Sequence, residues 1–343
     1  MNNKNNLNEL SKWNVRTDLA YDEVVRNSDD LPDYIESNEI IDNIPIYRSI
    51  IGSRASNVLN KKQGTYYTLD LSKIDFHDCK LCEQVESALA KILNKILINK
   101  NLLNKKCLLV GLGNINVTPD SLGPYVIDNV IVTRHLVQTG NITEGFSEVS
   151  ALSPGVMGNT GIETFDIIKA VKDKINVDFI IVIDALASSS IARVNKTIQI
   201  TDTGISPGSG VGNKRKELSS ATLGIPVIAI GVPTVVDAVT ITSDAIDYVI
   251  KHINEASKHR LLRSHDLNEA NEPSEETKEV LMGQIGLLSD EEKRNLIKDV
   301  LTPNGYNMMV TPKEVDADIE DLSKIIATGI DLALHHGLLE GTI

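Results

Sequence analysis

Apolar positions recur along this chain with two periods, and the switches between them outline alternating helices and strands. Residues 83–98 (EQVESALAKILNKILI) carry apolar side chains at helical spacing and predict a helix. Residues 107–110 form a short apolar run ending in Gly111-Leu112-Gly113-Asn114, which reads as a strand entering a sharp turn. A helix is then predicted over 121–138, a strand over 148–152 and a second helix over 161–175. Residues 179–183 (FIIVI) are the clearest buried strand, with Asp184 at its end. Residues 197–201 alternate as a half-buried strand would, and 226–230 (PVIAI) form another buried strand closed by Gly231-Val232-Pro233. A helix follows over 234–252, and from 254 to about 280 the chain turns polar and reads as a mobile excursion. Ser289 with Glu292 has the spacing of a capping box, residues 307–310 suggest a last strand, and a closing helix is expected over about 314–336. On that helix Leu322, Ile325, Ile326, Ile330 and Ala333 share one face.

This alternation predicts an α/β fold: a mostly parallel sheet with helices on both faces. With 343 residues, one large domain or two smaller ones are open, and aromatic residues at 4% leave the core to Ile, Val, Leu and Ala. The net charge of −13 argues against a nucleic-acid partner, which needs a basic stripe; the run Lys214-Arg215-Lys216 stands isolated beside Glu217. No segment reaches the roughly 18 apolar residues of a membrane span, and the polar start lacks the apolar stretch of a signal peptide, so a cytosolic protein is expected. Three cysteines do not suggest a disulfide framework. Cys79-x-x-Cys82 reads either as ordinary reduced thiols or as a redox or zinc motif, with no second ligand pair at zinc-site spacing.

In a parallel sheet, functional groups gather at the carboxyl ends of strands. Gly111-Leu112-Gly113-Asn114 invites a dinucleotide reading, but Asn116 stands where the third glycine is needed. Asp120 lies in the loop after that turn, flanked by Pro119 and Gly123-Pro124, and reads either as a helix N-cap or as a functional carboxylate. Asp184 has the same two readings at the end of its strand. Taken together, two carboxyls at strand ends converge on one crevice, where one activates a water while its protonated partner polarises a carbonyl. The Gly- and Ser-rich stretch 202–216, with Gly204, Gly208, Gly210 and Gly212, is a candidate substrate-binding loop or a flexible connection. Competing hydrolytic arrangements are weak. There is no H-E-x-x-H and no G-x-S-x-G, His135 reads as a packed or exposed helix histidine, Ser153 has no evident partner, and Ser188-Ser189-Ser190 reads as capping or solvating a turn.

At these blocks the chain resembles a known family. GLGN-x-NVTPD-x-LGP, SPGVMG-x-TGIET, the IDALA segment, QI-x-DTGI-x-PGSGVGNKRKE and LGIPVIAIGVPTVVDA are similar to the germination proteases of spore-forming bacteria, over nearly the whole chain from Val15 onward. The resemblance implies an aspartic-type endopeptidase that degrades small acid-soluble spore proteins, acting in the cytoplasm of the spore core as a homotetramer, without a metal or other cofactor. It places the two catalytic aspartates on Asp120 and Asp184. It also implies a zymogen, with residues 1–18 as propeptide, 19–343 as one α/β peptidase domain and a self-made cut between Asp18 and Leu19 in Thr17-Asp18-Leu19-Ala20. The fold implied resembles hydrogenase-maturation peptidases, with a C-terminal helical extension. Residues 26–75 carry no block of this kind. Two other classes stay open on the residues alone: a nucleotide- or anion-binding enzyme using the Gly-rich loops, and a non-catalytic peptide-binding protein.

Overall fold

A computed structural model of the chain describes residues 18–20, 32–208, 215–257, 278–280, 283, 287–301 and 308–338. These fall in two compact units, one built on residues 16–188, 192–235 and 311 onward, the other including 189–191 and 236–310.

The larger unit opens with a hairpin. Strands β1 (Tyr34–Ile41) and β2 (Ile44–Ile51) pair antiparallel across Asp42-Asn43, both with positive φ (50° and 67°). That two-residue turn matches the right-handed twist of the flanking strands, and Asp and Asn tolerate it. Helix α1 (Ser53–Leu59) leads to β3 (Gly64–Asp70), antiparallel to β2. Helix α2 (Cys79–Asn99) starts where the Asp78 side chain accepts the Lys80 N–H, and is followed by β4 (Cys107–Gly111). Then come α3 (Leu122–Asn129), α4 (Arg134–Thr139), β5 (Val149–Leu152), α5 (Thr164–Ile175), β6 (Phe179–Ser188), β7 (Thr197–Thr201) and β8 (Val227–Asp237).

The sheet runs in the order β1-β2-β3-β7-β8-β6-β4-β5. Strands β4 and β6 are buried on both faces, which is why they read as continuous apolar runs. Cys107, Leu109, Phe179, Ile181 and Ile183 join a core shared with α2 and α3, whereas Leu108, Val110, Ile180 and Val182 pack on the other face with Ile168 of α5. The α/β class with helices on both faces therefore holds, but the sheet is mixed rather than mostly parallel. Parallel ladders join β4 to β5 and to β6, while β1–β2, β2–β3, β3–β7 and β7–β8 are antiparallel. The difference lies in the hairpins of 34–70, which add an antiparallel wing.

The smaller unit holds α6 (Ala238–Ser257), α7 (Asp290–Leu301) and β9 (Met309–Val310), the last paired with the end of β8. The expected capping box is present: the Ser289 N–H and hydroxyl donate to Glu292, and Glu292 N–H donates to Ser289 Oγ. The sequence reading puts these residues in one domain with the rest; contacts gather 236–310 as a unit of their own. Residues 258–277 of the expected excursion lie outside the described residues.

Other boundaries move for identifiable reasons. The expected helix 121–138 divides into α3 and α4 because intervening donors are taken elsewhere. Ile131 N–H goes to the Asp331 carboxylate at 3.1 Å and Thr133 N–H to Val149 O at 3.0 Å. Strand β7 is buried throughout rather than on one face: Ile198 and Ile200 join the main core, while Gln199 on the other face lies against Ala20. The closing helix, α8 (Val315–Leu334), is no extension: Ile319, Leu322, Ile325, Ile326, Ile330 and Ala333 sit in the main core beside α2. Deleting one such buried side chain costs about 2–5 kcal/mol.

Candidate active site

The turn after β4 is built by close backbone approach. Gly113 has φ of +117°, and a Cβ there would lie 1.9 Å from Asp120 O; one on Gly123 would lie 2.2 Å from Leu112 O. Glycine at these positions lets residues 114–123 fold back onto the end of β4. Thr118-Pro119-Asp120 forms one 3-10 turn, whose Pro119 O accepts the Thr234 hydroxyl at 2.6 Å.

Asp120 does not cap α3. The N-cap is Ser121, and the Asp120 carboxylate turns back to accept the Asn114 N–H at 2.8 Å, an N–H it shares with its own main-chain oxygen. Asp184 does not cap a turn either. Strand β6 continues to Ser188, so Asp184 lies inside the strand rather than at its tip. What ends at Ile183 is the ladder with β4, closed by Leu112 N–H donating to Ile183 O at 2.8 Å. Asp184 is thus the first residue of β6 beyond its parallel partner, and its Oδ1 accepts the Ala185 N–H.

Both carboxyls are pushed above the ordinary carboxylate range. For Asp120 the main cause is burial, offset in part by the Asn114 N–H and the charge of Arg215. Asp184, only 7% exposed, is pushed up well beyond that. Burial is again the largest cause, followed by the negative charges of Asp120 and then Asp18; the Ala185 N–H and Arg215 oppose it. The two aspartates therefore lie within electrostatic reach of one another, with Asp184 the better proton holder. Arg215 belongs to the same site, with Nη1 buried and without a hydrogen-bond partner among the described residues.

The expected cleavage segment is docked beside them. Asp18 N–H donates to Ala187 O and its carboxylate accepts the Ala187 N–H, both at 2.9 Å, while Ala20 N–H donates to Gln199 Oε1 at 2.7 Å. Leu19 and Ala20 are fully buried. A cleft of about 420 Å³ opens alongside, lined by Asp18, Tyr66, Gln199, Gly204, Arg215 and Gly231 among others. Neither Asp120 nor Asp184 lines it, but Asp18 and Arg215, whose charges reach Asp184, do.

Matched against known proteins, residues 15–342 fit the family model of the germination proteases. The chain belongs to the germination protease family. Germination proteases of Bacillus cereus and Bacillus thuringiensis subsp. konkukian are each 49% identical over 350 residues, covering 96% of this chain and 95% of theirs. A solved NiFe hydrogenase maturation protease from Thermococcus kodakarensis overlaps 38% of this chain and 74% of its own at 18% identity, with a TM-score of 0.25. That overlap is too slight to carry an argument. Family membership gives the coarse function: a protease of germination, an enzyme with a protein substrate.

Of the loop glycines, Gly204 lines the cleft with φ of +77° and a Cβ there would meet Leu218 O at 2.1 Å; Gly208 also has positive φ. Gly210 and Gly212 lie outside the described residues. Ile205 and Leu218 exchange backbone hydrogen bonds that pin the base of this loop. Cys79 opens α2 exposed, Cys82 is half-buried with its thiol toward Phe76 O, and Cys107 is buried in β4. Among the described residues, no three His, Cys, Asp or Glu side chains form a metal-binding group, and no helix is long and apolar enough to cross a membrane. Sequence reasoning missed Gln199 and Arg215. Gln199 had a signal: an amide among Thr and Ile in a strand, which needs a partner once both faces are covered.

Proposed function

We propose that this germination protease is an aspartic-type endopeptidase in which Asp120 and Asp184 together activate water. The observation that supports it is the electrostatic coupling of the buried Asp184 and half-buried Asp120 carboxyls, with Asp18 of a docked peptide segment beside them. In this reading Asp184 carries the proton and Asp120 is ionised. Asp120 takes a proton from water as the water oxygen bonds to the carbonyl carbon, and Asp184 gives its proton to the carbonyl oxygen. Collapse of the tetrahedral intermediate breaks the C–N bond. Asp120 then returns its proton to the departing nitrogen, and Asp184 recovers one from the hydroxyl. Arg215 moderates the negative charge the two carboxylates share at intermediate stages.

The substrates are small acid-soluble spore proteins, degraded in the spore core during germination. The enzyme is made as a precursor whose residues 1–18 form a propeptide and is cut by its own active site between Asp18 and Leu19. The docking of residues 18–20 beside Asp184 supports this, since a segment held there excludes a substrate from the same place. The active form is a homotetramer and uses no metal. Incubating the full chain with a small acid-soluble spore protein and mapping the products tests the reading. Cleavage that is unaffected by chelators and lost in Asp120→Asn is expected. Cleavage abolished by chelation and restored by zinc would overturn it.

A further inference from the structure

The two-carboxylate chemistry makes no use of Cys79-x-x-Cys82. Both cysteines lie in the first turn of α2, three positions apart, so their side chains share one face of the helix. Cys79 is exposed, whereas Cys82 is half-buried, packs against the main core and donates its thiol hydrogen to Phe76 O at 3.3 Å. Burial pushes the Cys82 thiol up, and the negative charges of Glu86 and Asp321 push it further. Cys79 adds to the same push, which places the two sulfurs within electrostatic reach of each other. Among the described residues, no third His, Cys, Asp or Glu joins them to form a metal-binding group, which leaves the chemistry of two neighbouring thiols.

We propose that Cys79 and Cys82 form a reversible dithiol–disulfide site whose reaction partner is a small external disulfide. Cys79, the exposed member, attacks one sulfur of that disulfide as a thiolate. A bond to Cys79 Sγ forms, the external S–S bond breaks and one small thiolate leaves. Cys82 then gives its proton to solvent and attacks Cys79 Sγ, expelling the second small thiolate and closing the Cys79–Cys82 bond. The protein loses two electrons and two protons, and the external disulfide becomes two thiols. Burial divides the labour. A half-buried thiol whose value is raised stays protonated and is a poor first attacker, but once Cys79 carries the mixed disulfide the second attack is intramolecular. Closure asks for a modest movement: Cβ atoms three positions apart on a helix are about 5–6 Å apart, and a disulfide needs about 3.5–4.5 Å. As the first residue of α2, Cys79 has an N–H with no intrahelical carbonyl to leave, so it can shift without breaking a ladder bond on that side. Cys82 has only to release Phe76 O. Cys107, buried in β4 with its thiol pushed up by burial, takes no part.

The test treats the full chain with oxidised glutathione at neutral pH, quenches with iodoacetamide and reads intact mass and tryptic peptides. The parent is expected to lose two hydrogens, with Cys79 and Cys82 both protected from alkylation and Cys107 reacting only after unfolding. Cys82→Ser should stop at one glutathione on Cys79, because the resolving thiol is gone. Cys79→Ser should react at least about tenfold more slowly, since only the half-buried thiol remains. Dithiothreitol should restore the free thiols in each protein. A parent that accumulates the same glutathione adduct as Cys82→Ser, that forms disulfides between chains or that keeps both thiols free would overturn the inference. If either variant does not fold, the mass and peptide map of the parent still decide. None of these readouts depends on peptide cleavage, so the result stands apart from the peptidase reading.

Discussion

Asp184 sits in β6 with the Ala185 N–H on its carboxylate and two further carboxylates, Asp120 and Asp18, facing it, whereas Asp120 keeps part of its surface in water. Both favour the neutral form, Asp184 more strongly, so the folded state binds its proton more tightly than the unfolded chain. The stability this contributes is complete below the ordinary value of 3.8 and is lost as pH rises through the raised, folded value. Asp184→Asn should therefore gain stability relative to the parent as pH increases, a trend that urea midpoints at several pH values would reveal; a constant difference would contradict the raised value. Turnover should fall with pH over the same window, as Asp184 loses the proton it donates. Asp120→Asn and Asp184→Asn should each lower kcat on the order of 10²–10⁴-fold with little change in KM. The two aspartates could be singled out in the sequence, Asp184 directly after an apolar run and Asp120 in the loop that follows another. Arg215 was not, since it lies in a basic triplet that looked solvated, and its proximity to both carboxyls is set by the fold.

The turn between β4 and α3 depends on glycine more than its motif reveals. Gly113→Ala combines left-handed strain with a clash against Asp120 O, and should cost at least about 1–3 kcal/mol and reduce activity by displacing Asp120. Gly140→Ala, also at positive φ (70°) but with no atom within 4 Å, should cost only about 1 kcal/mol and leave activity unchanged. Denaturant titrations and peptide assays of the two variants make the comparison. A second element-scale test concerns the junction of α3, α4 and α8. Asp331 on α8 accepts the Ile131 N–H, and burial pushes its carboxyl up to about 7. Its stabilising neutral form is lost as pH rises from the unfolded value of 3.8 through about 7, so Asp331→Asn should flatten the stability profile across that window. Helices and buried strands from residue 79 onward were largely legible, because their apolar spacing was long and regular. The wing of 34–70 was not read, although Asp42-Asn43 between alternating residues carried a hairpin signal. Strand β6 runs past its expected end, and there Ala187 N–H donates to the Asp18 carboxylate, 169 residues away in sequence.

At the scale of the whole molecule, the acidic balance of −13 sits on a chain whose larger unit holds every residue of the proposed site. The sequence marked only about 254–280 as polar within one domain, and composition alone does not say which contacts are kept. Assembly into a tetramer should appear as four times the chain mass of 37.5 kDa by light scattering at micromolar concentration, and a monomer mass would contradict it. The central claim is that Asp120 and Asp184 cut peptide bonds, beginning with the chain's own. Intact-mass spectrometry of the parent, Asp120→Asn and Asp184→Asn after incubation at mildly acidic pH tests it most directly. The account predicts a new terminus at Leu19 in the parent and intact chains in both variants. A Leu19 terminus in either variant, or a fully active parent with Asp18–Leu19 unbroken, would contradict it.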